Sequence, residues 1–232
     1  MNEYSLSKRL KAVADLVPKN SRLGDIGSDH GYLASYLLLK GQITAAVCGE
    51  VVPGPYQQTL EQIEKRKLTA QVTVRLADGL EAIEESDQLT CITICGMGGK
   101  LIRDILAAGK EKLTPAMTLI LQANVGEHLL REWLVAENYV ITQEVILEEN
   151  NKTYEIIKAE KVPAQVLLTP AELLFGPILL QAKENQVFQA KWLREYHNKE
   201  RILNQLLAAK DVEPAKVTYF QQELALIKEV LV

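Results

Sequence analysis

Apolar residues at Leu6, Leu10, Val13, Ala14 and Val17 recur at steps of three and four, which predicts a first helix ended by Pro18. Beyond it the period changes. Short apolar runs near 23–26, 45–50, 72–75, 90–95 and 118–121 alternate with helical patterns over 32–40, 53–67, 100–108 and 127–136, the mark of βα units and a parallel sheet. The alternation then stops. Residues 139–147 and 153–159 read as two strands joined by five polar residues, a β-hairpin that closes the series.

From Pro163 onward the pattern is helical only. An apolar stretch containing Gly176-Pro177 precedes a long helix through Phe188, Trp192, Tyr196, Leu203 and Leu206, and a break is expected over 211–214. The last helix carries Val217, Phe220, Leu224, Ile227 and Leu231 at alternating steps of three and four, a coiled-coil seam that predicts an antiparallel helical hairpin. The pattern therefore predicts an α/β chain, with βα units closed by a β-hairpin over residues 1–160 and a helical hairpin over 161–232.

Composition agrees with a soluble chain. Of 232 residues 47% are hydrophobic and 24% charged, no apolar run reaches the roughly 20 residues that span a bilayer, and the charged start lacks a leader's apolar core, so a cytoplasmic protein is expected. Cys48, Cys91 and Cys95 all fall in apolar runs, which points to buried small hydrophobes rather than a disulfide or a metal site. The net charge of −4 at first sight argues against a nucleic-acid partner, but the balance is uneven along the chain and leaves room for local basic patches. The start of the chain differs: Lys8, Arg9, Lys11, Lys19 and Arg22 stand there against Glu3 and Asp15, either a solvated face or a phosphate-contacting lip.

The candidate chemistry lies at the strand ends. Asp25, Glu50 and Asp78 each close a predicted strand and are separated by whole βα units, which puts three acids on one rim of the sheet, where open α/β folds bind ligands. Such a rim suits a cationic sulfonium cofactor, its ribose hydroxyls and its adenine amine. In the turn Gly27-Ser28-Asp29-His30-Gly31, an acid replaces the middle glycine of a phosphate-binding loop and would repel a pyrophosphate, so S-adenosyl-L-methionine is favoured over a nicotinamide dinucleotide. A terminal hairpin with one antiparallel strand is also the hallmark of class I methyltransferases that use this cofactor. Three glycines after the fourth strand, at 96, 98 and 99, imply a backbone that passes close to a ligand or a neighbouring loop. Gln122 and Asn124 offer amides for reading a base edge; Asn124 is equally suited to capping the next helix.

Asp25-Ile26-Gly27-Ser28-Asp29-His30, Gly96-Met97-Gly98-Gly99, Leu121-Gln122-Ala123-Asn124, the opening Leu6-Ser7-Lys8-Arg9-Leu10 and the helical tail together resemble the bacterial tRNA (adenine(22)-N1)-methyltransferase family over nearly the whole chain. Where that family often has Gln-Pro-Asn, this chain has Ala123 in the middle. The resemblance implies a Rossmann-like, seven-stranded class I methyltransferase domain over residues 1–160, a helical coiled-coil domain over 161–232, and methylation of N1 of an adenine in the D-arm of tRNA. It places Asp25, Gly27, Glu50, Asp78, Gly79, Gly96 and Met97 at cofactor-contacting positions and Asp29, His30, Tyr32 and Asn124 on the substrate side. Asp29 would accept from the adenine amine and stabilise the charge that develops on the base, Tyr32 would stack, Asn124 would orient the edge, and His30 would bind substrate or close the turn. His128 and His197 fall on predicted helices and have no expected role. A methyltransferase of small molecules and a non-catalytic RNA-binding scaffold are the competing readings, and the sequence leaves the oligomeric state open.

Overall fold

A computed structural model describes residues 5–209 and 213–231. It builds the expected series: α1 (Lys8–Leu16), β1 (Ser21–Ile26), α2 (Tyr32–Leu39), β2 (Ile43–Glu50), α3 (Pro53–Lys65), β3 (Val72–Leu76), β4 (Cys91–Met97), α4 (Gly99–Ala108), β5 (Thr118–Ala123), α5 (Glu127–Ala136), β6 (Tyr139–Glu149) and β7 (Lys152–Lys161). The seven strands form one sheet in the order β3-β2-β1-β4-β5-β7-β6. β1 to β5 pair in parallel, whereas β7 runs antiparallel between β5 and β6.

Local chemistry explains the hairpin. Asn150 and Asn151 both adopt positive φ, 52° and 59°, as a tight turn that matches strand twist requires, and asparagine tolerates that region better than most residues. The central strands carry the core: Ile92, Ile94, Leu119, Ile120 and Leu121 are all fully buried, as strands covered by helices on both faces must be. A buried charged cluster fastens the hairpin to the sheet's flanking helix. Arg131 on α5, fully buried, donates to Glu144 on β6 at 2.9 Å and to Glu155 on β7 at 2.6 Å.

The chain divides into two compact units, the first running to Leu168 and the second starting at Thr169. The sequence pattern put the change of domain at 160/161, eight residues earlier. The second unit contains α6 (Pro170–Phe175), α7 (Gln186–Leu207) and α8 (Pro214–Val230). Phe175, Phe188 and Trp192 cluster at its base, with Phe175 and Trp192 edge to face at 4.6 Å. In the predicted seam Ile227 is fully buried, whereas Val217, Phe220, Leu224 and Leu231 are half-buried, and Glu223 and Val230 are buried as well. Glu223 is tolerated because Lys199 and the Tyr219 hydroxyl both donate to it at 2.7 Å. Pro214 opens α8; Asp211 and Val212 of the expected break lie outside the described residues.

Candidate active site

β1 has β2 on one side and β4 on the other, so the strand order reverses there, and the crevice at the carboxyl ends is the place where such sheets bind ligands. A cavity of about 220 Å³ opens at this point, lined by Arg9, Leu10, Asp25, Gly27, Ser28, Asp29, Leu33, Cys95, Gly96 and Met97. A larger cavity, about 780 Å³, lies at the opposite ends of β4 and β5, lined by Ile83, Leu89 and Met117 with Glu84 and Glu111. It contains none of the candidate residues.

The turn after β1 is strained in a directed way. Gly27 has φ +70°, which demands glycine, and a methyl added to it would also displace the flexible end of Met97. Asp29, His30 and Gly31 follow at φ 45°, 68° and 64°, three consecutive left-handed residues of which two are not glycine. Glu50, at the end of β2, holds this arc in place: its Oε1 accepts from the Ser28 hydroxyl and from the Asp29 backbone N–H, both at 2.7 Å. The arc leaves the Asp29 carboxylate largely in solvent and its Oδ1 3.5 Å from His30 Nε2. The His30 and Tyr32 rings lie 5.4 Å apart at the start of α2.

Asp25 sits deeper. Thr93 on β4 donates to its Oδ1 at 2.7 Å, but Oδ2 is buried and has no partner. Burial raises its pKa to about 7; the Thr93 bond opposes this, while Glu50 and Asp29 push it further up. A buried acid with an open oxygen fits a cationic donor from a ligand, and the bare α-carbon of Gly27 beside it permits close approach.

β4 and β5 build the other wall. β4 bulges between Cys95 and Met97, leaving the Gly96 peptide outside the ladder. Side chains replace its lost partners. Gly96 N–H donates to Gln122 Oε1 at 3.0 Å, and Asn124 Nδ2 donates to Gly96 O at 2.8 Å. Gln122, fully buried, also receives Arg9 Nη1 at 2.6 Å and donates to Asn124 Oδ1 at 3.2 Å. Asn124 therefore does not cap α5, whose N-cap is Gly126. Its amide is used to hold the bulge.

Of the residues singled out by sequence, Asp25, Gly27, Asp29, Gly96 and Met97 line one cavity; Glu50 and Asn124 are hydrogen-bonded to its walls. Asp78 and Gly79 lie just beyond β3, where Ala77 N–H donates to Glu50 O at 2.9 Å, but they are not among the residues lining it. Cys95, expected to be buried like Cys48 and Cys91, is only partly so and lies on the cavity wall. Arg9, Ser28 and Thr93 escaped the sequence reading as site residues. The basic first helix and the opening Leu6-Ser7-Lys8-Arg9-Leu10 were the hints of Arg9. Among the described residues no helix is long and apolar enough to cross a membrane, and no cluster of metal-ligating side chains forms.

The model of one family, tRNA (adenine(22)-N(1))-methyltransferase, matches residues 23–229. A Bacillus subtilis protein of that description is 41% identical over 237 residues, covering 100% of this chain and 99% of its own. The crystal structure of the B. subtilis M1A22 tRNA methyltransferase TrmK superposes with a TM-score of 0.92 at 40% identity, covering 99% of this chain and all of the other. Streptococcus pneumoniae Sp1610, solved in complex with S-adenosyl-L-methionine, gives 0.88 at 41% identity over 98% of this chain and 100% of its own. The acids at the strand ends, the hairpin in the sheet and these likenesses converge: the chain belongs to the tRNA (adenine(22)-N(1))-methyltransferase family.

Proposed function

We propose that this chain transfers a methyl group from S-adenosyl-L-methionine to N1 of adenine 22 in tRNA. The observation that carries the cofactor is Asp25 Oδ2, buried and unpartnered in a cavity at the switch point. Family membership carries the substrate, and favours it over a small molecule or a non-catalytic scaffold. When bound, the cofactor supplies an electrophilic methyl group on a sulfonium sulfur. Asp25, Gly27, Glu50, Asp78, Gly79, Gly96 and Met97 are the residues proposed to hold it.

Adenine N1 has its own lone pair, so the chain needs no strong base; it must orient the ring and meet the positive charge that the methylated base acquires. N1 lies on the pairing edge, and the base must leave its stack to be reached. Asp29 is proposed to accept from the exocyclic amine and to stabilise that charge, a role supported by its exposure and by the fixed backbone beneath it. Tyr32 and His30, whose rings lie together at the start of α2, are proposed to stack on or bind the base, and Asn124, whose amide also holds the bulge, is proposed to orient its edge. The helical unit is assigned to tRNA binding, and a cytoplasmic location follows from such a substrate.

The test is methyl transfer from labelled cofactor to unmodified tRNA, followed by nuclease digestion and mass spectrometry. The expected product is 1-methyladenosine, absent when adenine 22 is replaced by guanine. Methylation that survives that replacement, or none beside an active control enzyme, overturns the reading.

A further inference from the structure

The larger cavity has no part in methyl transfer, and its walls are of two kinds. It lies at the amino ends of β4 and β5, where segments 83–89 and 111–117 lead into those neighbouring strands, on the opposite rim of the sheet from the glycine turns. Ile83, Leu89 and Met117 line it with buried apolar side chains, whereas Glu84, Glu85 and Glu111 line it and are exposed. Its volume, about 780 Å³, falls in the range of small-ligand sites, roughly 300–1,000 Å³. The acids are not neutralised from within. Lys112 is the one cation among the lining residues, and its Nζ is turned to backbone, donating to Leu80 O at 3.0 Å and Ile83 O at 2.9 Å. Glu84 lies 3.6 Å from Arg75, a guanidinium already held by Asp87 at 2.6 Å. Among the described residues the Glu85 and Glu111 side chains form no hydrogen bond or ion pair.

We infer that this cavity is a second ligand site, for an aliphatic dication of the polyamine class: a methylene chain lies on Ile83, Leu89 and Met117, and ammonium groups at its ends meet Glu85 and Glu111. The walls set both the sign and the shape of the ligand. A phosphate, a nucleotide or a carboxylic acid brings like charge to three carboxylates. A neutral apolar molecule uses the floor alone. A metal ion finds no cluster of ligating side chains among the described residues. A chain of methylenes between cations meets the apolar floor and the acidic mouth together, gaining about 0.8 kcal/mol for each methylene it buries. The site is separate from the proposed cofactor cavity, since the two share no lining residue.

The methionines of the chain distinguish the two sites: Met117 lines this cavity and Met97 lines the one at the switch point. In the whole chain, with methionine methyl groups isotope-labelled for NMR, titration with 1,8-diaminooctane is expected to move the Met117 signal saturably and to leave Met97 in place. 1,3-Diaminopropane, with the same charges on a shorter chain, should bind at least about tenfold more weakly. Octanedioate, the same length of chain ending in carboxylates, should leave Met117 unmoved. Glu85→Gln combined with Glu111→Gln should weaken the diamine by about three- to thirtyfold, the range for two exposed ion pairs; an unchanged Met97 signal shows that the variant is folded. No movement of Met117 overturns the inference, and so does movement of Met97 without it, which puts the amine among the acids at the switch point. Octanedioate binding as tightly as the diamine, a comparison that stands without the variant, or a double variant that binds as well as the parent, reduces the site to an apolar hollow and overturns it too. A Met117 signal that shifts with protein concentration alone assigns the hollow to a second copy of the chain, with the same consequence.

Discussion

Replacing Asp25 by Asn removes a carboxylate that the fold keeps dry with one oxygen unmet. Burial raises its pKa from 3.8 to about 7. The unfolded chain releases this proton near the lower value and the folded chain near the upper one. Between them the folded state binds more protons, so this group lowers stability as pH rises and its effect levels off above about pH 7. At about 1.4 kcal/mol for each tenfold change, the full cost is at most roughly 4 kcal/mol. Asparagine keeps the acceptor for Thr93 but buries an amide N–H without a partner, at a cost of about 1–3 kcal/mol. Asp25→Asn is therefore expected to be the more stable protein by roughly 1–3 kcal/mol at about pH 8, and the less stable one near pH 4. Urea unfolding followed by circular dichroism across that range measures the difference. The charged neighbours Glu50, Asp29 and Arg9 are unchanged in both proteins, so the difference curve isolates Asp25. The same variant should lose affinity for S-adenosylhomocysteine at every pH. A stability difference that is flat with pH refutes the burial argument, and retained affinity refutes the ligand argument.

Further outcomes are expected at other positions. Asp29→Ala should abolish most methyl transfer with little change in melting temperature, because its side chain is 72% exposed; an unfolded variant or an active one contradicts the assigned role. Gly27→Ala forces a left-handed alanine, costing about 1–2 kcal/mol, and displaces Met97; adding Met97→Ala should recover only the steric part, as denaturant titration will show. Arg131→Met removes the cation that answers two buried carboxylates and should cost about 3–5 kcal/mol. A melting temperature within a few degrees of the parent would show that the cluster contributes nothing.

Patterning along the chain revealed the strands, the hairpin and the helical tail because burial repeats with the period of each element. It also marked Asp25 and Gly27, since a strand, an acid and a glycine turn are neighbours in sequence. What it does not carry is partnership across distance. Thr93 and Asp25 are 68 positions apart and Arg9 and Gln122 are 113 apart, and nothing local in either segment names the other. The glycine run after β4 shows the same limit. Gly96 and Gly99 look alike in sequence, yet Gly96 faces the cavity while a methyl on Gly99 would collide with the carbonyl of Gly126, so one glycine serves the site and the other serves packing between loops. Glu223 was passed over in the tail because a carboxylate breaks a hydrophobic seam unless a lysine on the facing helix answers it, and that lysine is 24 residues away.

The clamp on the first helix sets a timetable. Lys8 and Arg9 offer their N–H groups to Glu149, and the Lys8 contact closes 141 positions of chain. Synthesis proceeds at about 5–20 residues per second, so the helix is made roughly 7 to 28 s before that glutamate exists. Until then Gln122 alone reaches the Arg9 side chain, its backbone has no anchor, and the crevice has a floor but no finished wall. The part of the chain made first is thus the part whose place is decided last, and a nascent or truncated chain that ends before the hairpin has every acid of the rim but not the completed pocket.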